Sequence, residues 1–301
     1  MKRTIAFFVL VSMGCISANA QDIDLENALR STYTACVGID DALHDMKVKA
    51  GINTAVTGVG TGLGIGAVAT GIAKAKNDSE IEAKYATMEN LAYSAAGDRE
   101  VLDKEEFIAK VGNKLGKGKN SKDELEEKSK KLGNWRTGLL AANTATNIAG
   151  AAISGTNKVD RSLEEQIDDC KSSVKNLKNA ISNAKFNGED VSEATQIANA
   201  CGDFAYVDIS KINSRAKGSM TSSIVGAGTG VVGTITSALA NSDKVRNDDN
   251  RKKEKNLNTS ANVLAAGSTV ASATATAFNA AQIKAIKDVA EIASKCTGVL
   301  K

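Results

Sequence analysis

Proline is absent from this sequence, aromatic residues make up only 4% of it, and His44 is its single histidine. Because proline interrupts helices, its absence suits long continuous ones. A chain so poor in large rings builds its contacts mostly from Ala, Val, Ile and Leu. One histidine cannot form a histidine metal cluster, and no serine or cysteine stands in a recognisable catalytic arrangement with it. We therefore expect a protein that is not an enzyme and holds no catalytic site, cofactor or metal.

The first twenty residues have the pattern of a secretory signal peptide. Residues 2–3 are basic, residues 4–18 are mainly apolar, and Ala-Asn-Ala at 18–20 fits the small-residue cleavage rule. Lipoprotein processing at Cys15 is the alternative, although the usual preceding leucine is missing. We predict a mature chain that begins at Gln21 and is exported to the periplasm or outer cell envelope, or secreted.

The charge balance of the mature chain is nearly neutral. Removing the two basic residues of the signal peptide from the total of 38 leaves 36, against 35 acidic residues. A chain without excess positive charge has no electrostatic basis for general binding to nucleic acid. We therefore expect no nucleic-acid partner.

Two stretches of the sequence recur in the same order. "GVGTGLG" at 58–64 resembles "GAGTGVVG" at 226–233, and "LLAANTATNIAGAA" at 139–152 resembles "VLAAGSTVASATAT" at 263–276. Self-similarity at two paired positions indicates a duplication. We predict an all-α fold of two duplicated antiparallel helical hairpins, the first over residues 21–200 and the second over residues 201–301.

Each half contains two long uncharged segments, and the charged residues lie in the connections between them. The connection in the second half is short, whereas residues 74–136 of the first half form a long one with helix-start patterns, which we interpret as an inserted helical arm. The hairpin helices are expected to pair as coiled coils. The four uncharged segments are 50–73, 137–157, 218–242 and 256–283.

The four cysteines of the mature chain test the hairpin prediction. In an antiparallel helix pair, facing residues have a constant sum of residue numbers. Cys201 and Cys296 sum to 497, and the repeat offsets carry this sum to 205 in the first half, where Cys36 and Cys170 sum to 206. We therefore predict the disulfides Cys36–Cys170 and Cys201–Cys296, in keeping with an oxidising compartment. The scattered spacing of these cysteines argues against a zinc site.

The glycine-rich segments can be interpreted as strands or as helices. Glycine alternates with other residues in the first copy, as in a strand, but only the four-residue glycine spacing occurs in both copies, which favours helix. Glycine in a helix costs about 1 kcal/mol relative to alanine, and close packing of small faces compensates for it. The index sums place Gly230 opposite Gly267, and Gly62 opposite Asn143 or Thr144. The predicted helix-packing residues are Gly58, Gly62, Gly66, Gly226, Gly230 and Gly267.

Phosphate and calcium motifs are incomplete in this chain. The glycine spacing at 58–64 lacks the strand and the downstream acid of a dinucleotide-binding loop, and residues 112–121 lack P-loop spacing. Residues 97–111 lack the acidic ligands and the central glycine of an EF-hand. These absences agree with the expectation that no cofactor is bound.

The uncharged segments are long enough to span a bilayer, because about 20 helical residues cross its hydrocarbon core. Their asparagines, however, would be costly in contact with lipid, so the segments would have to insert as a bundle with polar faces inward. Trp135 stands where an interfacial anchor would be expected. A tryptophan packed on a neighbouring residue is the interpretation that its usual burial favours.

These segments resemble the glycine-zipper segments of bacterial envelope proteins in spacing and composition. The resemblance covers the four uncharged segments only. We expect an envelope protein that self-associates or associates with a membrane through these helices. The alternative is a soluble periplasmic or secreted bundle that binds a protein partner through the arm at 74–136.

Overall fold

The structure is a computed structural model that describes residues 24–95, 122–246 and 250–300. All regular structure in these residues is helical, which confirms the predicted all-α class. The predicted signal peptide with Cys15, residues 96–121 of the arm, and the incomplete phosphate and calcium motifs of that region lie outside the described residues.

Seven α-helices and one short 3₁₀ turn, Gly202–Tyr206, follow one another in the described chain. Three of the helices have 57, 35 and 50 residues, far longer than the three or four turns usual in globular proteins. In chain order the helices are α1 (Leu25–Cys36), α2 (Ile39–Ala95), α3 (Lys122–Thr156), α4 (Arg161–Phe186), α5 (Ser192–Ala200), α6 (Ser210–Ala240) and α7 (Arg251–Leu300).

Local sequence signals define several helix ends. The Asp24 side chain accepts a hydrogen bond from the Glu26 backbone N–H, and the Asp160 side chain accepts one from Leu163, so each caps the start of a helix. Gly38 has φ of +90° in the short link between α1 and α2, and Gly188 has φ of +81° after α4. Glycine adopts this left-handed conformation without the steric cost that other residues incur.

Buried residues recur along the long helices at alternating spacings of three and four. In α2 the buried positions are 39, 43, 46, 50, 53, 57, 60, 64, 67, 71, 74, 77 and 81. A repeat averaging 3.5 residues keeps one seam of a helix against its neighbours and is typical of coiled-coil-like bundles.

The described chain divides into two compact units, and α2, α6 and α7 each contribute several residues to both. One unit, which we call the disulfide unit, comprises residues 24–51, 156–217 and 279–300. The other, the small-residue unit, comprises residues 52–155 and 218–278 without their undescribed parts. The predicted division into halves at residue 200 concerns the duplication and stays a prediction.

The disulfide unit has an ordinary apolar core and contains both predicted disulfides. Cys36 is bonded to Cys170 and Cys201 to Cys296, with Cα–Cα distances of 4.9 and 4.4 Å. All four cysteines are fully buried. The pairing derived from index sums is therefore confirmed, and two disulfides fit an oxidising environment. Their surroundings include Ile39, Leu43, Ile167, Val174, Leu177, Phe204 and Ile286.

In the small-residue unit, each helix contacts the next one along the chain. The Asn53 amide donates to Ser154 Oγ over 2.6 Å between α2 and α3, and Ser154 Oγ lies 2.8 Å from Ser219 Oγ of α6. Ser268 Oγ of α7 donates to the Gly226 carbonyl of α6 over 2.8 Å. Helices that follow one another within this unit are therefore in direct contact.

Candidate functional site

The interior of the small-residue unit is made of small and polar side chains. Along α2, its seam consists of Asn53, Thr57, Gly60, Gly64, Ala67 and Gly71, all buried. The other helices bury the same kinds of residue. They include Asn143, Thr144, Asn147, Ser154, Ser219, Ser223, Ser237, Ala265, Ser268 and Ser272.

A hydrogen-bond network joins the polar residues at the middle of this interior. The Asn143 amide donates to Ser268 Oγ over 3.0 Å, and Ser272 Oγ lies within hydrogen-bonding distance of both the Asn143 and the Asn147 side-chain oxygens, at 3.1 and 3.0 Å. Asn147 in turn donates to the Asn143 backbone and side chain over 3.1 Å. Buried polar groups are tolerated when they are satisfied in this way.

The predicted helix-packing glycines lie in two different environments. A methyl group built on Gly226 or Gly230 would overlap the Asn147 or Thr144 side chain, and one on Gly66 would reach ordinary contact with Leu139. The same methyl group on Gly58, Gly62 or Gly267 would have no heavy atom within 4 Å among the described residues.

The specific facing pairs that the index sums suggested differ from the observed ones. Gly60 and Gly64, rather than Gly62, lie against Asn143, and Gly230 lies against Ser268 rather than Gly267. An index sum sets the height of two residues along a helix pair but does not set the rotation of either helix about its axis. Neighbouring positions at the right height therefore face different ways.

Along its uncharged segments, the exterior of the small-residue unit is mainly apolar. Of the nineteen large hydrophobic residues that are exposed in the described chain, fifteen belong to this unit. Several are more than half exposed, whereas the interior that they surround contains Asn, Ser and Thr. The exposed residues of this unit are Ile52, Val59, Ile65, Ile72, Trp135, Ile148, Ile224, Val225, Val231, Val232, Ile235, Leu239, Val263, Val270 and Phe278.

Two helical stretches of the described chain are long and apolar enough to cross a membrane by length and composition alone. They are Leu25–Lys84 and Ser210–Ala240, whose most apolar parts have mean hydropathies of 1.5 and 1.4. The core helices of soluble proteins meet the same criterion, but those helices are mostly buried. Here only 28% and 33% of the apolar parts are buried.

A layer of buried charge lies where the uncharged segments of α2 and α7 end. Lys74 is fully buried, and its Nζ donates to Asp78 Oδ2 over 2.7 Å and to Glu254 Oε1 over 3.0 Å. Asp78 also accepts hydrogen bonds from Ser129 Oγ and, over 3.5 Å, from the Asn258 amide. Pairing of this kind is what makes a buried ammonium group tolerable.

Arg136 adds a second buried cation, one residue before the uncharged segment of α3. Its guanidinium donates to Ser237 Oγ, Asn258 Oδ1 and Asn262 Oδ1 over 2.9, 2.8 and 3.1 Å. Burial lowers the pKa of Arg136 to about 10, against the opposing attraction of the nearby carboxylates. The group therefore remains charged at neutral pH.

Trp135, beside this buried arginine, is 68% exposed. The favoured sequence interpretation, a tryptophan packed on a neighbouring residue, is therefore wrong. The orientation of α3 about its own axis explains the difference. Arg136 lies on the buried seam of α3, and an adjacent residue on a helix points about 100° away.

A cleft of about 260 Å³ opens beside this charged layer, within the small-residue unit. Its walls come mainly from α2 and α7, and it contains both acidic and basic side chains. Sequence reasoning did not find this cleft, because Lys74 and Glu254 are 180 positions apart and belong to two different charged connections. The one sequence feature that Lys74 and Glu254 share is their position close to the end of an uncharged segment.

No known protein family, curated protein or solved structure matches this chain.

Proposed function

We propose that this protein is a non-enzymatic exported protein of the cell envelope whose small-residue unit is integrated in a membrane. The observation that carries the proposal is the reversed distribution of polarity in that unit. Asparagine, serine and threonine side chains are buried in its interior, among them Asn143, Thr144 and Ser268, whereas fifteen of its large hydrophobic residues are exposed. In water this arrangement would expose apolar surface, whereas in lipid it places apolar side chains where they are favoured.

The disulfide unit serves as an internal comparison. It shares α2, α6 and α7 with the small-residue unit, but its seam is apolar and only four of its large hydrophobic residues are exposed. The composition of one continuous helix therefore changes from an apolar seam at Leu43 and Met46 to a polar seam at Asn53 and Thr57. A helix that passes from water at the disulfide unit into lipid at the small-residue unit would account for this difference in its seam.

The dimensions agree with a bilayer. Residues 52–73 form about 33 Å of helix at 1.5 Å per residue, close to the roughly 30 Å of a hydrocarbon core. Interhelical hydrogen bonds and close contacts at small residues are the main means by which helices associate in lipid. The Asn143 network and the packed glycines of α6 fit that role.

The duplication and the glycine zipper belong to the same proposal. Two related hairpins, each with small-residue faces, would complete one four-helix unit, and the inward glycines, such as Gly226 and Gly230, would let its helices approach closely. Gly58, Gly62 and Gly267, where an added methyl group would meet no heavy atom within 4 Å in the described chain, would face lipid or a second copy of the protein.

Carbonate extraction of envelope membranes tests the proposal. We expect the wild-type chain to stay in the membrane pellet at high pH. A variant with Ile65→Lys, Val232→Lys and Val270→Lys should be released or degraded, because each lysine near the middle of a span costs about 2.5–3.5 kcal/mol of insertion free energy. Val48→Lys is the matched control: Val48 is 49% exposed on the same helix as Ile65 but lies in the disulfide unit.

Release of the wild-type chain into the soluble fraction would overturn membrane integration. The apolar exterior would then have to be covered by protein. That result would favour the alternative of a soluble bundle with a protein partner, and deletion of residues 80–130 would test whether the arm binds that partner.

A further inference from the structure

The cleft beside the buried charged layer has the character of a ligand site for a zwitterion. Carboxylates and basic groups stand on its walls at the same level, in a volume of about 260 Å³. The carboxylates include Asp78, Glu82 and Glu254, and the basic groups include Arg246, Arg251 and Lys255.

Part of this cleft is rigidly built. Asp78 is fixed by the ammonium of Lys74, the hydroxyl of Ser129 and the amide of Asn258. Lys74, Ser129 and Asn258 are all at least 94% buried. A carboxylate held by three donors keeps its position when a ligand approaches, so no reorganisation is needed for it to accept a hydrogen bond.

At the rim of the cleft, in contrast, an exposed ion pair can be replaced by contacts to a ligand. Lys255 Nζ lies 3.2 Å from Glu82 Oε2, with side chains that are 68% and 48% exposed. Exposed ion pairs of this kind contribute little to stability. A ligand with a cation and an anion can therefore replace each partner of this pair at small cost.

The cleft also lies at the level expected for lipid headgroups, an argument that rests on the proposed function. It begins at Ala75 on α2, two residues after the uncharged segment ends. Asn258 and Asn262, which line it, hold the guanidinium of Arg136, whose neighbour Trp135 is exposed. Exposed tryptophans are enriched at this interfacial level of membrane proteins.

We propose that this cleft binds the phosphoethanolamine headgroup of a membrane phospholipid. The primary ammonium group donates hydrogen bonds to the carboxylates of Asp78 and Glu82, and the phosphate accepts them from Arg251 and Lys255. A phosphocholine headgroup has the same charges but no N–H to donate, and a phosphoglycerol headgroup has no cation to match the carboxylates. The site therefore discriminates by hydrogen bonding as well as by charge.

Native mass spectrometry of the full chain, purified in detergent and stripped of lipid, tests this site. Phosphatidylethanolamine, phosphatidylcholine and phosphatidylglycerol of identical acyl chains are added separately at matched concentrations. We expect phosphatidylethanolamine to bind about tenfold more tightly than phosphatidylcholine, a difference typical of one charge-assisted hydrogen bond. Equal binding of these two lipids would overturn the proposal.

Two variants test the acidic and the basic side chains of the cleft separately. Glu82→Gln should reduce the preference for phosphatidylethanolamine over phosphatidylcholine, because only the Asp78 carboxylate then remains for the ammonium group. Arg251→Gln should weaken the binding of both lipids, because both carry the phosphate. Glu291→Gln, an exposed carboxylate of the disulfide unit, is the matched control and should change neither. A preference that Glu82→Gln leaves unchanged would show that this cleft does not produce it.

Two further measurements distinguish the source of the headgroup and the dependence on the proposed function. Water-soluble glycerophosphoethanolamine should fail to displace the lipid at equal concentration, whereas full displacement would reassign the cleft to a free small molecule. Retention in the carbonate pellet without any lipid preference would overturn this site alone. Release by carbonate, with glycerophosphoethanolamine preferred over glycerophosphocholine, would overturn membrane integration but keep the headgroup chemistry.

Discussion

Gly60 and Gly62 are two positions apart on α2 and lie in opposite environments. A methyl group on Gly60 would meet the side chains of Thr146 and Asn143, whereas one on Gly62 would meet nothing within 4 Å in the described chain. Close helix contact is therefore a property of single glycines in this segment, and it does not extend to every glycine of the motif.

Leucine substitutions at these two positions should have different effects. Gly60→Leu is expected to lower the free energy of unfolding by about 1–3 kcal/mol or more, because the added side chain must displace packed neighbours. Gly62→Leu should not lower it and should raise it by up to about 1 kcal/mol, because the added side chain meets no neighbour and the substitution removes the cost of a glycine within a helix. Denaturation of the two variants in detergent micelles, followed by circular dichroism, measures both. Equal losses would contradict the assignment of faces.

The buried ammonium of Lys74 leads to a second prediction. Lys74→Met removes the cation and leaves Asp78 and Glu254 facing each other without it, so we expect a loss of about 3–5 kcal/mol in unfolding free energy. Lys131→Met is the control, because its ion pair with Glu127 is exposed on both sides and should contribute at most about 0.5 kcal/mol. Thermal melting in detergent compares them, and similar melting temperatures for the two variants would contradict the buried pairing.

The disulfides should stabilise the protein substantially. They close separations of 134 and 95 residues, and removing a native disulfide typically costs about 2–5 kcal/mol. The double variant Cys36→Ala with Cys170→Ala is therefore expected to unfold at a lower denaturant concentration than the wild type. Non-reducing peptide mapping of this variant should still find Cys201 linked to Cys296. A peptide joining Cys170 to Cys201 in the wild type would contradict both pairings.

How far the sequence determines this structure depends on the kind of relationship involved. The helical class and the disulfide pairing were predictable, because absent proline, repeat offsets and index sums depend only on position along the chain. Which glycines face inward was not predictable, since most residues of the uncharged segments are small or apolar and they hide the period of the buried seam. The burial of Arg136 and the exposure of Trp135 depend on the same rotation.

The charged cleft could not be predicted from the sequence, because it forms only where the folded helices pack together. Its charged residues come from two connections that are far apart in sequence, and each connection by itself is an ordinary stretch rich in Lys, Arg, Asp and Glu. Such runs are usually solvated. Only the packing of α2 against α7 brings Lys74 to Glu254 and creates a buried ion pair beside an open one.

The start of the mature chain can be tested independently of the fold. Cleavage by signal peptidase after Ala20 predicts an N-terminus at Gln21 when the exported protein is analysed by mass spectrometry. Ala20→Tyr should block the cleavage and leave the longer chain, because the enzyme requires a small residue there. A mature chain that begins with a lipid-modified Cys15 would show that the lipoprotein alternative is correct.

The polar network around Asn143 gives the prediction most sensitive to the surrounding solvent. Asn143→Leu removes the amide that donates to Ser268 and the oxygen that lies against Ser272, and it leaves both hydroxyls with fewer partners. In a lipid environment side-chain hydrogen bonds between helices contribute about 0.6–2 kcal/mol each, so we expect a loss of this order or somewhat more. Ile148→Leu, on the exposed face of the same helix, should be neutral. If Asn143→Leu instead stabilised the protein, the interior would behave as an ordinary apolar core. The reversed distribution of polarity would then no longer support integration in a membrane.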